Sequence, residues 1–265
     1  MTEQEQTNKS QNCQELSDYE RRMVDIYNSR GAENPQCPEC KDKGYIAITA
    51  TMVRPCKCKA KRDAERAVKN SGLTDDLRLK TFKSFRTREE WQHALKRSAI
   101  AFCEDEGHWF YTGGQVGSGK THICTAIINE LMAQGRIARY MVWPDEVDAI
   151  KGNAEDFTTA LQKLMEVPVL YIDDFLKTAK ERRIDRQGKI TWDKKPPTTG
   201  ELNAAFKLVN YRYNRPEKTT IFSSEFTIED IMDYDGGLGS RIYQRCKKYR
   251  INIGDDDAKN MRLAE

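Results

Sequence analysis

The 265-residue chain has no long hydrophobic run. No stretch approaches the ~18 apolar residues that a membrane span needs. The opening segment, MTEQEQTNKSQN, is polar and lacks the apolar core of a secretory leader. These absences lead to the expectation of a cytoplasmic protein with no membrane partner, in a compartment where thiols stay reduced. An excess of one charge is also missing: 44 Lys and Arg stand against 41 Asp and Glu, a formal net charge of +3. A global field that would draw in nucleic acid is thereby excluded, and any such contact must come from a local patch. Charge as such is abundant, at 32% of residues beside 38% hydrophobic. The length suits one full core with a small appendage.

The sharpest signal is Gly114-Gln115-Val116-Gly117-Ser118-Gly119-Lys120-Thr121, which fits GxxxxGK[ST] without mismatch. Glycines let the backbone curl so that N–H groups converge on a phosphate, and the helix that follows adds the partial charge of its N-terminus. Lys120 is then placed to reach the β/γ-phosphates and the Thr121 hydroxyl to bind Mg²⁺. A glycine turn before an ordinary helix is the alternative, and context argues against it. His108–Thr112 is aromatic-rich and strand-like, and Ile123, Ile127, Ile128 and Leu131 recur at helical spacing up to Gly135. Strand, glycine loop and helix come in the required order, so ATP is the expected cofactor.

Further strands are expected at Ile137–Trp143, Val169–Asp173, Thr219–Ser224 and Tyr249–Ile253. Helices are expected at His122–Gln134, Glu155–Glu166 and Glu201–Asn214. This alternation implies a parallel sheet covered by helices on both faces. The run Val169-Leu170-Tyr171-Ile172 ends in Asp173 and Asp174, where an α/β sheet places its ligand sites. Asp173 is expected to hold Mg²⁺ through water, and Asp174 to position or polarise an attacking water. A solvated acidic turn is the plainer reading of the pair taken alone. Gly239-Ser240-Arg241 starts another helix; spacing cannot tell a surface arginine from one lent to a neighbouring subunit's γ-phosphate.

Of eight cysteines, four are clustered: Cys37-Pro-Glu-Cys40 and Cys56-Lys-Cys58, with a hairpin-length insert containing Tyr45–Thr49. Two such pairs match a four-thiolate zinc ribbon, although CxC is a less usual second pair than CxxC. Four thiolates leave no open position for catalysis, so the Zn²⁺ is read as structural, supplying stability that so short a segment cannot obtain by burial. Free thiols or disulfides are the alternatives. Cys103 and Cys124 fall in apolar helical patterns and read as small core residues. Ahead of the cysteines, Leu16, Tyr19, Met23, Ile26 and Tyr27 form a stripe suited to a packed helix or to a partner-docking one. Residues 54 to 70 carry a basic helical face, and Ser71-Gly72 reads as the start of a linker. The expected domains are 1–70 and 71–265.

Taken in order, GQVGSGKT, VLYIDDF, NYRYN (Asn210–Asn214), TTIFSSEFT (Thr219–Thr227) and GSRIYQRC resemble the DnaC/DnaI/IstB group of AAA+ ATPases over roughly residues 75 to 265. The likeness is greatest to replicative helicase loaders, including phage-encoded ones, and the cysteine module is similar to the zinc-binding N-terminal domain of DnaI-type loaders. The resemblance implies a P-loop AAA+ (ASCE) α/β fold preceded by a zinc-ribbon-like domain. It implies a nucleotide-dependent spiral or ring of subunits, a hexameric DNA helicase gripped by residues 1–70, and helicase loading onto single-stranded DNA in a bacterial cytoplasm. Lys120, Thr121, Asp173 and Asp174 take the Walker positions and Arg241 that of the arginine finger. Asp174 stands where Glu is common, consistent with a slow, switch-like ATPase. Ser224 and Glu225 fall at the first sensor position, where a polar residue, usually Asn, is normal, and Arg262 is a candidate second sensor.

Residues 177 to 195 are dense in Lys and Arg. They read either as a mobile solvated loop or as a loop tracking single-stranded DNA through Arg182, Arg183 and Arg186, with Trp192 free to stack on bases. Other functions compete. An IstB-like transposition ATPase on duplex DNA would generally lack the cysteine module. A small-molecule kinase would need an acceptor pocket and lid arginines. A replication initiator would be expected to carry a helix-turn-helix after residue 255.

Overall fold

The computed structural model describes residues 16–151, 154–184, 190–254 and 256–262. The chain divides into two compact units, Met1–Arg66 and Ala67–Glu265. Among the described residues no helix is long and apolar enough to cross a membrane.

The first unit starts with helix α1 (Asp18–Ser29). Ser17 and Glu20 close a reciprocal capping box at its N-terminus, which satisfies two otherwise orphaned donors. The expected apolar stripe is present, but no residue of α1 is buried: Tyr19, Met23, Ile26 and Tyr27 are all exposed. Strands β1 (Tyr45–Ala47) and β2 (Val53–Pro55) pair antiparallel. The first arm is shorter than the expected Tyr45–Thr49, because the backbone of Ile48 already bonds across the turn to Met52. Asn28 brackets Ala47 with two hydrogen bonds, tying α1 to β1. Helix α2 (Lys57–Asn70) follows.

The expected boundary at residue 70 moves to 66, and Ser71-Gly72 is not a free linker. Ser71 is fully buried, and its carbonyl accepts a 2.7 Å bond from the Tyr140 N–H. The second unit then runs α3 (Asp75–Arg78), α4 (Glu90–Cys103), β3 (Phe110–Gly114), α5 (Lys120–Ala133), β4 (Ala138–Val142), α6 (Trp143–Lys151), α7 (Ala154–Glu166), β5 (Val169–Asp173), β6 (Lys180–Ile184), β7 (Ile190–Lys194), α8 (Thr199–Tyr213), β8 (Thr219–Ser223), α9 (Ile228–Tyr234), α10 (Gly236–Cys246) and β9 (Arg250–Ile253).

Five strands form one parallel sheet in the order β4-β5-β8-β3-β9. All five were expected, to within two residues at their ends. The strand ending in the paired aspartates, β5, is separated from the glycine-loop strand β3 by β8. Side chains alternate between two cores, as the pleat requires. From β5, Leu170 and Ile172 face a core built with α7, α8, α9 and α10, while Val169 and Tyr171 face one built with α4 and α5. Both faces are therefore covered, which is why these strands read as unbroken apolar runs. Cys103, Cys124 and Cys246 lie buried in these cores. Burial pushes the Cys103 thiol up to about 12 and the other two well above the ordinary thiol range, so none is a nucleophile at neutral pH.

The basic stretch after β5 is not the expected open loop. Strands β6 and β7 form an antiparallel hairpin in which Arg182 pairs with Trp192 and Arg183 with Thr191. Its base is closed by Lys195 N–H to the Ala179 carbonyl and by the Thr178 hydroxyl to the Lys195 carbonyl. Arg186 lies outside the described residues, as do the side chains of Arg182, Arg183 and Trp192.

Candidate nucleotide site and cysteine cluster

The glycine loop joins the C-terminal end of β3 to α5. Gly114 has φ 103°, and a Cβ there would come within 2.0 Å of the Ile253 carbonyl oxygen on the neighbouring strand, so only glycine fits. Gly119 precedes α5 with φ 83°, leaving the first-turn N–H groups of the helix directed at the cleft. α5 is buried on nearly every side, through Ile123, Cys124, Ile127, Ile128 and Leu131, so the loop rests on a rigid platform.

Lys120 turns inward and donates to the carbonyls of Gly114 at 2.9 Å and Gln115 at 2.6 Å. Burial lowers its ammonium to about 8, with the nearby acids Glu225 and Asp174 opposing that shift. Ser118 Oγ bonds the Gln115 carbonyl and steadies the loop. Period-two alternation puts Asp173 on the face of β5 shared with Tyr171, which is the face toward α5. There its carboxylate accepts from Thr121 Oγ1 at 3.1 Å, Tyr171 OH at 2.8 Å, Tyr140 OH at 3.1 Å and the Ser223 hydroxyl. Five donors, counting the Asp174 N–H at 3.1 Å, fix one carboxylate beside the loop threonine. The Thr121–Asp173 pair is the oxygen donor set that Mg²⁺ prefers.

Tyr140, Tyr171 and Ser223 did not emerge from the sequence reading. Tyr171 could have been found, since a residue two before Asp173 on a strand must share its face.

A cleft of about 290 Å³ opens beside these groups, lined by Gly117, Gly119, Lys120, Thr121, Asp174 and Glu225 together with Phe85, Lys177, Met261 and Arg262. The residues assigned to the Walker motifs thus meet in one place. The first sensor position divides. Ser224 is buried and committed to the Phe175 carbonyl at 2.7 Å, so it is withdrawn from the cleft, whereas Glu225 faces it. Arg262 reaches the cleft because the Met261 N–H bonds the Gly117 carbonyl at 3.0 Å, laying the 256–262 segment against the loop. Arg241 lies on α10 away from this cleft, donating to Asn210 Oδ1 at 2.9 Å and the Gly237 carbonyl at 2.8 Å and stacking over Phe206. It does not serve its own subunit's cleft.

In the first unit the sulfurs of Cys37, Cys40, Cys56 and Cys58 lie within 4.8 Å of one another. Cys37–Cys56 is 3.7 Å and Cys40–Cys58 is 3.4 Å. A tetrahedron with Zn–S of ~2.3 Å has sulfurs about 3.8 Å apart, so the set fits zinc. The knuckle after Cys40 is formed by Lys41 and Asp42, both at positive φ, and Asp42 accepts the N–H groups of Gln36 and Cys37 at 3.0 Å each. The Gly44 N–H points at the Cys40 sulfur at 3.3 Å, as suits a thiolate.

No family model matches the chain. The uncharacterized protein YqaM of Bacillus subtilis (strain 168) is 30% identical over 227 residues, covering 81% of this chain and 68% of that protein. The phage-like element PBSX protein XkdC of the same organism is 29% identical over 237 residues, covering 84% of each. Among solved structures, a DnaC helicase loader aligns with TM-score 0.52 at 17% identity, over 69% of this chain and 100% of that one. DnaI aligns with TM-score 0.51 at 18% identity, over 69% and 94%. DnaA bound to AMPPCP and single-stranded DNA aligns with TM-score 0.52 at 19% identity, over 70% of this chain and 52% of DnaA.

Proposed function

The chain belongs to the DnaC/DnaI/IstB-type AAA+ ATPases, in a family it shares with YqaM, and from that premise we propose that it is an ATP-dependent loader of a replicative hexameric helicase onto single-stranded DNA. The observation that carries this reading is the pairing, in one chain, of an AAA+ unit with a separate four-cysteine unit. An IstB-like transposition ATPase has no need of the second. Kinship with XkdC supports a phage-borne gene in a bacterial cytoplasm, and the DnaA complex with AMPPCP supports the use of ATP here.

In this reading the loop N–H groups and Lys120 cradle the β- and γ-phosphates. Thr121 and Asp173 are the residues that would hold Mg²⁺, which when bound neutralises charge developing on the phosphoryl oxygens. Asp174 accepts a proton from water as its oxygen bonds the γ-phosphorus. The bond to the β-bridging oxygen breaks, and ADP and phosphate result. The shorter reach of Asp174 relative to Glu suits slow turnover. Arg241, free of its own cleft, would act on a neighbour's nucleotide in the oligomer. Cys37, Cys40, Cys56 and Cys58 would hold Zn²⁺, and the exposed stripe of α1 is the surface offered to the helicase. Hairpin β6–β7 is the candidate path for single-stranded DNA.

The test is co-purification with the replicative helicase of the host, followed by native mass measurement with and without ATP. A nucleotide-dependent loader–helicase complex is expected. Filaments on duplex DNA with no helicase capture would replace this reading with the transposition one.

A further inference from the structure

The turn after β5 is built in an unusual way. Asp174 and Leu176 both take positive φ, 52° and 57°, a conformation that costs a non-glycine residue ~1–3 kcal/mol. The turn persists because its other members are anchored. Phe175 and Leu176 are buried, the Phe175 N–H bonds the Ser223 carbonyl at 2.8 Å, and the Lys177 N–H closes onto the Asp174 carbonyl at 2.9 Å. The result is a rigid hook that brings Lys177 back over the residue assigned to activate water.

The Lys177 ammonium sits 2.9 Å from Asp174 Oδ2 and 3.5 Å from Glu225 Oε1, and lines the same cleft as Lys120 and Thr121. Glu225 is the anomaly that this contact explains. A carboxylate facing the position of a γ-phosphate would repel it unless a cation stood between them. Glu225 is nearly buried at 11% side-chain exposure, while Lys177 is 41% exposed and so has room to swing.

We propose that Lys177 is the γ-phosphate sensor of this chain, held by Glu225 and exchanged between Asp174 and the triphosphate. The proposal rests on the nucleotide-site reading above and names the residue that gates it. With the cleft empty or holding ADP, Lys177 stays on Asp174 and occupies the carboxylate oxygen that the attacking water needs. The γ-phosphate oxygens of ATP draw the ammonium away, Glu225 keeps it within reach, and Asp174 is freed to take the proton from water. One side chain thus distinguishes ATP from ADP and ties that distinction to hydrolysis.

The experiment uses the full zinc-loaded chain and the variants Lys177→Met, Lys177→Gln and Lys177→Arg. It measures equilibrium affinities for AMPPCP with Mg²⁺ and for ADP with Mg²⁺, with ADP binding as the check on folding. Removing the charge is expected to reduce the AMPPCP-to-ADP affinity ratio by roughly tenfold to a hundredfold, the effect of losing one charge-assisted hydrogen bond. ADP affinity should barely change, and Lys177→Arg should restore most of the ratio. An unchanged ratio in both Met and Gln variants that still bind ADP would overturn the sensor role, leaving Lys177 a tether of its turn. Failure of the wild-type chain to bind either nucleotide would overturn the underlying site as well, so the two failures are distinguishable.

Discussion

Among the described residues of the first unit, the buried apolar side chains are Cys40, Ala47 and Cys56, and two of these three are metal-ligand candidates. The second unit buries Trp109, Phe110, Tyr111, Ile123, Phe175 and Phe222 completely, in two cores on opposite faces of one sheet. At ~1.5–3 kcal/mol for each large apolar side chain removed from water, the second unit is held by burial and the first is not. The contrast teaches where each unit must be attacked. One depends on four sulfurs, the other on a continuous apolar interior.

The largest expected effect follows directly. Stripping zinc with a strong chelator, or replacing Cys37 by Ser, should unfold residues 16–66 and leave the second unit folded, because structural zinc contributes on the order of 10 kcal/mol to such modules. Hydrogen exchange should show protection lost across β1, β2 and the knuckle and retained across the sheet. Protection retained in both units would break the comparison.

The next effect is aimed at the other unit. Arg212 is fully buried, and its guanidinium donates to the carbonyls of Leu164, Met165, Val167, Pro168 and Thr219 and to Thr220 Oγ1. It joins the end of α7 to the start of β8 with no buried acid beside it. Arg212→Ala would strand those carbonyls, and should cost about 3–5 kcal/mol and lower the second unit's melting temperature by roughly 10 °C. The first unit should be unaffected by calorimetry or exchange.

A smaller effect concerns pH. Burial holds the Lys120 ammonium at about 8 without nucleotide, and phosphate oxygens favour its charged form, so its value must rise on binding. Nucleotide binding therefore takes up a proton above pH 8. Affinity should be full below that pH and weaken by up to about tenfold per unit above it. Titration calorimetry in buffers of different ionisation enthalpy would reveal the proton uptake. Affinity that rises with pH would contradict it.

The sheet was legible because parallel strands covered on both faces must be apolar throughout, and Val169–Ile172 and Thr219–Phe222 could be little else. The glycine loop and the paired aspartates were legible because their chemistry demands fixed residue types at fixed spacing. Hairpin β6–β7 was read as a loop, since KERRI carries no apolar alternation and the Ile190–Trp192 alternation of ITWDK is too short to stand out in so basic a stretch. Helices α6 and α9 were missed as elements because their few apolar positions interleave with charged ones. The position of Lys177 depends on two positive-φ residues, Asp174 and Leu176, that local preference would not place there. The seating of Met261 and Arg262 over the glycine loop depends on a backbone hydrogen bond, to which sequence pattern is blind.

Nucleotide binding by the whole chain tests the central claim most directly. Titration of ATP with Mg²⁺ into the zinc-loaded protein should give saturable binding at one site per chain, abolished in Lys120→Ala while the sheet stays folded. Absence of binding in the wild-type chain, or undiminished binding in Lys120→Ala, would contradict the account.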